Sequence, residues 1–150
     1  MYKEVNDNIW SFEDEFKVVT TNETIKKDGT AVMGKGLAFY AAKKFPSLPT
    51  ELADDIKKYG NHCFIYPGYK IITFPTKHDW RKGSDIYLIL RSMKELDVIC
   101  EENKITKVLL PKVGCGNGGL EWNDVKTLIS PFIKRSDIEY IIVDYKETKE

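Results

Sequence analysis

The chain has 150 residues, 42% of them hydrophobic and 12% aromatic, which suits one globular domain with a core of its own, expected to span residues 1–150. Its 23 basic residues balance its 23 acidic ones and no basic block stands out, which excludes nucleic-acid binding driven by overall charge. Cys63, Cys100 and Cys115 lack any metal-ligand spacing and the chain has neither a secretory start nor a long apolar run, so a cytoplasmic protein with reduced thiols is expected, without cofactor, metal or membrane partner.

In chain order, FKVVTT (16–21) is a β-branched run and predicts a strand. GLAFYAAKKF (36–45) sets Leu37, Ala38, Ala41, Ala42 and Phe45 at helical spacing before Pro46. TELADDIKKYG (50–60) predicts a second helix with Leu52, Ile56 and Tyr59 on one face, ending at Gly60. HCFIYP (62–67) and YKIITFP (69–75) predict two short strands paired around Gly68. The longest helix runs from Ser84, as its N-cap, to about Asn103, with Ile86, Ile89, Leu90, Met93, Leu96 and Cys100 at the 3.6 period. KVLLP (107–111) predicts a buried strand, and Val125, Leu128, Ile129 and Phe132 mark a helix capped by Asn123, against whose last turn Pro131 argues. IEYIIVDY (138–145) reads as a strand covered on both faces. The expected class is α/β, with helices on both sides of a largely parallel or mixed sheet.

Between the strand at 107–111 and the next helix lies PKVGCGNGGLEW (111–122), with glycines at 114, 116, 118 and 119. Without Cβ atoms, successive amides can close around phosphate oxygens, and the helix start adds a favourable partial charge. The competing reading is a tight turn whose glycines only permit the geometry. Gly114-x-Gly116-x-x-Gly119 is a literal dinucleotide fingerprint, but that motif belongs on the first strand of its domain, and here it comes near the end of the chain. A nucleoside-triphosphatase loop is excluded, because Gly119 is followed by Leu120 and Glu121 instead of Lys and Ser or Thr.

A second loop, TAVMGKGLAFYAAKKF (30–45), carries Gly34 and Gly36 at another loop-to-helix junction, and two such loops can clamp one diphosphate. Lys35 is either a phosphate-binding cation or a solvated lysine. Asn22, at the carboxyl end of the first strand read here, is either a ribose contact or an ordinary turn asparagine.

Asn22, VMGKGLA (32–38), FPTKHDWR (74–81) and PKVGCGNGGLEW, in that order, resemble a macro domain, the ADP-ribose-binding module. More narrowly they resemble the branch containing antitoxin macro domains that remove ADP-ribose from thymidine in DNA and the human enzyme that removes it from glutamate. The resemblance covers residues from about 5 to 145 and implies a three-layer α/β/α sandwich around a mixed, largely parallel sheet. It implies a pyrophosphate held between Met33, Gly34, Lys35, Gly36 and Leu37 on one side and Gly114, Cys115, Gly116, Asn117, Gly118, Gly119 and Leu120 on the other. Thr21 and Asn22 join the ligand-binding set, with Asn22 at the distal ribose. Asn8 and Ile9 stand where macro domains commonly have Asp-Ile at the adenine, and Tyr145 is a candidate cover for its ring.

Lys77 is the implied catalytic residue, its neutral amine attacking the anomeric carbon to give a Schiff base. Its alternative is electrostatic pairing with substrate or with Asp79. His78 and Asp79 are secondary candidates for proton transfer. Gly118 replaces an aspartate of the human glutamate-specific enzyme, which favours the antitoxin-like substrate class or none. Three functions are therefore compatible with the sequence: a hydrolase releasing ADP-ribose from DNA or protein through Lys77, a phosphatase of ADP-ribose 1″-phosphate, and a non-catalytic binder of ADP-ribose or a related nucleotide. Lys77, Arg81 and Lys82 form a local basic cluster sufficient for a short single strand of DNA, with a solvated basic turn as the alternative. A monomer is expected.

Overall fold

The computed structural model describes residues 2–144. Its strands are β1 (Tyr2–Val5), β2 (Phe16–Thr21), β3 (Ile65–Tyr66), β4 (Ile71–Pro75), β5 (Lys107–Pro111) and β6 (Glu139–Val143), joined in one sheet of order β1-β6-β5-β2-β4-β3. Neighbouring strands run parallel except β3, which pairs antiparallel with β4. The helices are α1 (Gly36–Lys44), α2 (Leu48–Tyr59), α3 (Ile86–Glu102) and α4 (Trp122–Arg135). Among the described residues no helix is long and apolar enough to cross a membrane.

Alternation along the strands divides their side chains between two cores. Val19, Ile71, Leu109, Ile141 and Val143 pack with Leu37, Ala41, Leu48, Leu52 and Ile56 of α1 and α2. Val18, Ile72, Phe74, Val108, Leu110, Tyr140 and Ile142 pack with Ile89, Met93 and Leu96 of α3 and Val125 and Ile129 of α4. The result is the three-layer α/β/α sandwich, and burial on both faces is why its inner strands read as continuous apolar runs. Tyr140, fully buried, donates its hydroxyl to Asp97 Oδ1 at 2.7 Å. Tyr140→Phe is expected to lower unfolding free energy by about 1–3 kcal/mol, measured by urea denaturation, because the Asp97 carboxylate loses its phenolic donor.

Several boundaries differ from the sequence expectation. The first strand of the hairpin shortens to Ile65–Tyr66 because its expected start is drawn to α3: the Cys63 amide donates to Glu95 Oε1 at 2.9 Å and His62 Nδ1 lies 2.7 Å from Glu95 Oε2. The N-cap of α3 is Asp85 and not Ser84, with Asp85 Oδ1 accepting from the Tyr87 amide at 2.9 Å. Asn123 lies inside the first turn of α4 instead of capping it. The last turn of α4 continues past Pro131 to Arg135, and it buries Ile133 completely. Edge strand β1, with two exposed residues in four, carries no periodic signal.

The chain leaves β2 on one side, through α1, α2 and β3 to β4, and comes back on its other side as β5. The loops after β2 and β5 therefore diverge and open a crevice at the carboxyl ends of the strands.

Candidate functional site

A cleft of about 750 Å³ occupies that crevice. Its walls come from the loop after β2 and the start of α1, from the loop after β5, and from Thr76, Lys77, Trp80 and Ser84 after β4. Thr21, Asn22, Met33, Gly34, Lys35, Gly36, Leu37, Lys77, Gly114, Cys115, Gly116, Asn117 and Gly118 all line it. The fold thus brings together residues spread from 21 to 118.

In the first loop the amides of Gly34, Lys35, Gly36, Leu37 and Ala38 donate to no group among the described residues. Lys35 occupies the N-cap of α1 in an extended conformation without a side-chain cap, so the orphan donors of the first turn face the cleft uncapped. Gly36, at φ +59°, lies in the left-handed region that lets this turn form. Asn22 braces the loop: its Nδ2 donates to the Val32 carbonyl at 3.3 Å and its Oδ1 accepts from the Thr24 amide at 2.9 Å. One N–H and one lone pair of that amide remain for a ligand.

The second loop closes on itself through the Leu120 amide to Gly114 O at 2.9 Å and the Gly119 amide to Gly116 O at 3.0 Å. The amides of Gly116 and Asn117 have no acceptor among the described residues. At Gly114, with φ +78°, an added Cβ would lie 2.5 Å from Ile89 Cδ1. At Gly118 it would lie 2.2 Å from Ser84 Oγ and 3.2 Å from Ser84 Cβ, so a side chain at either position would force its neighbours to shift. The Ser84 amide donates to Gly118 O at 2.9 Å, while its buried hydroxyl has no partner among the described residues. Across the cleft the two loops come close, an added Cβ on Gly36 reaching within 3.6 Å of Asn117 Nδ2.

Lys77 Nζ donates to the Asn117 carbonyl at 3.4 Å, which puts the amine against the second loop. Burial, and then the neighbouring Lys35 charge, hold that amine below the usual lysine range, as a nucleophilic amine requires. Cys115 also lines the cleft, but burial pushes its thiol up and away from the reactive thiolate. His78 and Asp79 do not line it. His78 Nε2 lies 2.8 Å from Asp85 Oδ2, and Asp79 holds Arg81 in a two-pronged ion pair at 2.9 and 3.0 Å. Asp79 is thus engaged by Arg81, and the charge of Arg81 in the expected basic cluster is already neutralised.

Of the residues expected to bind the ligand, Asn8, Ile9, Gly119 and Leu120 also lie off the cleft wall. Ile9 is fully buried in the core beside α1 and α2, and Asn8 caps a short 3-10 turn, Ile9–Ser11, accepting from the Trp10 amide at 3.0 Å. Gly119 and Leu120 hold the second loop from behind, with Leu120 packed on the core. Tyr145 lies outside the described residues. The wall also includes Lys26 and Asp144, which stand in no motif, and Ser84, read from the sequence as a helix cap; Thr76 and Trp80 stood within FPTKHDWR and Lys112 within PKVGCGNGGLEW.

Residues 18–129 match the family model of the Macro domain. The chain is a macro domain. It is 33% identical over 121 residues to the DNA ADP-ribosyl glycohydrolase of Mycobacterium tuberculosis, covering 74% of this chain and 34% of that protein. The chain spans about a third of the length of the DNA ADP-ribosyl glycohydrolases it matches, 30% for the one from Thermus aquaticus. It is 27% identical over 111 residues to the human ADP-ribose glycohydrolase OARD1, covering 73% of this chain and 72% of that one. The macrodomain of Mycobacterium tuberculosis DarG superposes with a TM-score of 0.82 at 29% identity, covering 97% of this chain and 99% of the other. In this macro domain the two glycine loops therefore stand on a shared scaffold, with the Lys77 amine at their junction.

Proposed function

We infer that this macro domain binds ADP-ribose in its cleft and releases it from a modified macromolecule, with DNA as the favoured carrier. The observation that carries the reading is the depressed Lys77 amine set against the second glycine loop, at the mouth of a cleft lined by uncapped amides. Its resemblance to proteins named DNA ADP-ribosyl glycohydrolase supports the reaction class and the carrier. The diphosphate lies between the amides of residues 34–38 and those of Gly116 and Asn117, where helix-start donors favour an anion. Thr21 and Asn22 take the distal ribose.

The neutral Lys77 amine attacks the anomeric carbon of the opened ribose, the bond to the carrier breaks, and the carrier leaves with a proton. Water then adds to the resulting Schiff-base carbon, the amine departs and the sugar recloses, so the net reaction consumes one water. Only the neutral amine attacks, so release rises as pH climbs through a Lys77 pKa held below its ordinary value. Lys35→Gln removes a like charge, so Lys77 holds its proton more tightly and the rising limb of kcat moves to higher pH. A pH profile of single-turnover release tests this, and an unmoved limb would contradict it.

Trp80, 47% exposed on the cleft wall, favours a flat nucleobase as the group beside the scissile bond. Its amide is anchored to Thr24 Oγ1 at 3.1 Å, so the indole stands on a braced loop. Base stacking on an aromatic contributes about 1–3 kcal/mol, so Trp80→Ala is expected to weaken binding of an ADP-ribosylated oligonucleotide by roughly fivefold or more. Affinity for free ADP-ribose stays unchanged in the same variant, which calorimetry checks. We place the protein in the cytoplasm, in keeping with its free Cys63, Cys100 and Cys115, and propose that it acts as a monomer.

A further inference from the structure

Lys77 lies past the end of β4, beyond the reach of the sheet. Pro75 is still in register with Thr21, and the Thr76 amide donates to the Thr21 carbonyl at 3.0 Å. The Lys77 backbone makes a single hydrogen bond among the described residues, its carbonyl accepting from Asn61 Nδ2 at 3.1 Å. Asn61 is one of few buried polar residues, 8% exposed, and is not part of the cleft wall.

Asn61 is itself held from α3. Arg91 Nη2 donates to the Asn61 carbonyl, and Arg91 Nε stands 3.6 Å from Glu95 Oε2. The same Glu95 lies 2.7 Å from His62 Nδ1 and accepts from the Cys63 amide at 2.9 Å. One turn of α3 thus ties down residues 61–63, and the asparagine on that segment is aimed at the Lys77 carbonyl. A lysine side chain is long and flexible, and a nucleophile displaced by an ångström loses much of its advantage.

We propose that Asn61 is a positioning residue for Lys77: its side-chain amide clamps the Lys77 carbonyl and fixes the backbone from which the amine reaches the cleft, with Arg91 and Glu95 holding the clamp. This rests on the reading of Lys77 as the nucleophile. It assigns a role in turnover to a buried residue that never touches the ligand.

The test is Asn61→Leu, which keeps the shape and removes the donor, assayed for release of ADP-ribose from an ADP-ribosylated single-stranded oligonucleotide. The expected result is a fall in kcat of about tenfold or more, with KM and the Kd of ADP-ribose within about twofold. Ser92→Ala is the control. It deletes another buried bond from α3 to β4, Ser92 Oγ to Pro75 O at 2.7 Å, where the sheet still holds the strand. That variant is expected to lose thermal stability and keep its kcat. Arg91→Met, at a side chain 44% exposed, releases the clamp without disturbing the core, so it serves even where the buried variant fails to fold. Its kcat is expected to fall about threefold or more at unchanged Kd. An unchanged kcat in Asn61→Leu or Arg91→Met overturns the proposal, as does a loss of kcat matched by an equal loss of ADP-ribose affinity. Retained turnover in Lys77→Ala would instead remove the reading of Lys77 on which the proposal stands.

Discussion

Replacing Lys77 with alanine is expected to lower the rate of ADP-ribose release by at least about a hundredfold while leaving the Kd of ADP-ribose within a few-fold of wild type. Binding is expected to persist because the free donors of the two glycine loops are backbone amides, which the substitution does not touch. Lys77→Arg separates a nucleophile from a mere counter-charge. A guanidinium keeps the positive charge at all working pH and cannot attack carbon. It should therefore be as inactive as the alanine variant, whereas an electrostatic role would preserve most of the rate. The pairing of Lys77 with Asp79, raised by the sequence, is already met by Arg81, whose guanidinium holds both Asp79 oxygens and keeps that carboxyl well below the usual carboxylate range. Single-turnover assays and calorimetry on the same preparations check both variants.

Gly118→Ala is expected to weaken ADP-ribose binding by about 1–3 kcal/mol, roughly five- to 150-fold in Kd. The added carbon would stand 2.2 Å from Ser84 Oγ and 3.2 Å from Ser84 Cβ; rotating the hydroxyl relieves the first contact, and the second still requires the loop or the turn before α3 to give by a few tenths of an ångström. The loop is the element that yields, because α3 is fixed by Ile89, Met93 and Leu96 in the core. Ser84→Gly removes both offending atoms, and the double variant should recover most of the lost affinity. Wild-type affinity in Gly118→Ala alone would show that the loop has slack that these contacts do not leave it. A double variant no better than the single one would show that Ser84 is not the obstacle.

The sheet was legible because its inner strands are covered on both faces, and FKVVTT and KVLLP announce such burial in their composition. The glycine loops were legible for a related reason, since a backbone that must come close to something cannot carry side chains. Helix starts were less so: Ser84 and Asp85 are both good caps, and only the three-dimensional contact with Gly118 decides that Ser84 serves the loop and Asp85 the helix. That contact joins positions far apart in sequence, which no periodicity records. Asn61 was invisible for the same reason, as its value comes from a carbonyl sixteen residues away and an arginine thirty residues away. Asn8 and Ile9 came from the resemblance alone, and here they serve a turn and a core contact off the cleft wall.

The measurement that bears most directly on the account is a substrate panel with the wild-type protein: an ADP-ribosylated single-stranded oligonucleotide, a glutamate-linked ADP-ribosyl peptide and ADP-ribose 1″-phosphate, with products read by mass spectrometry. Free ADP-ribose is expected from the oligonucleotide, in preference to the peptide, and no phosphate from the third compound. Release of inorganic phosphate without turnover of the oligonucleotide, or no reaction with any of the three, would contradict it.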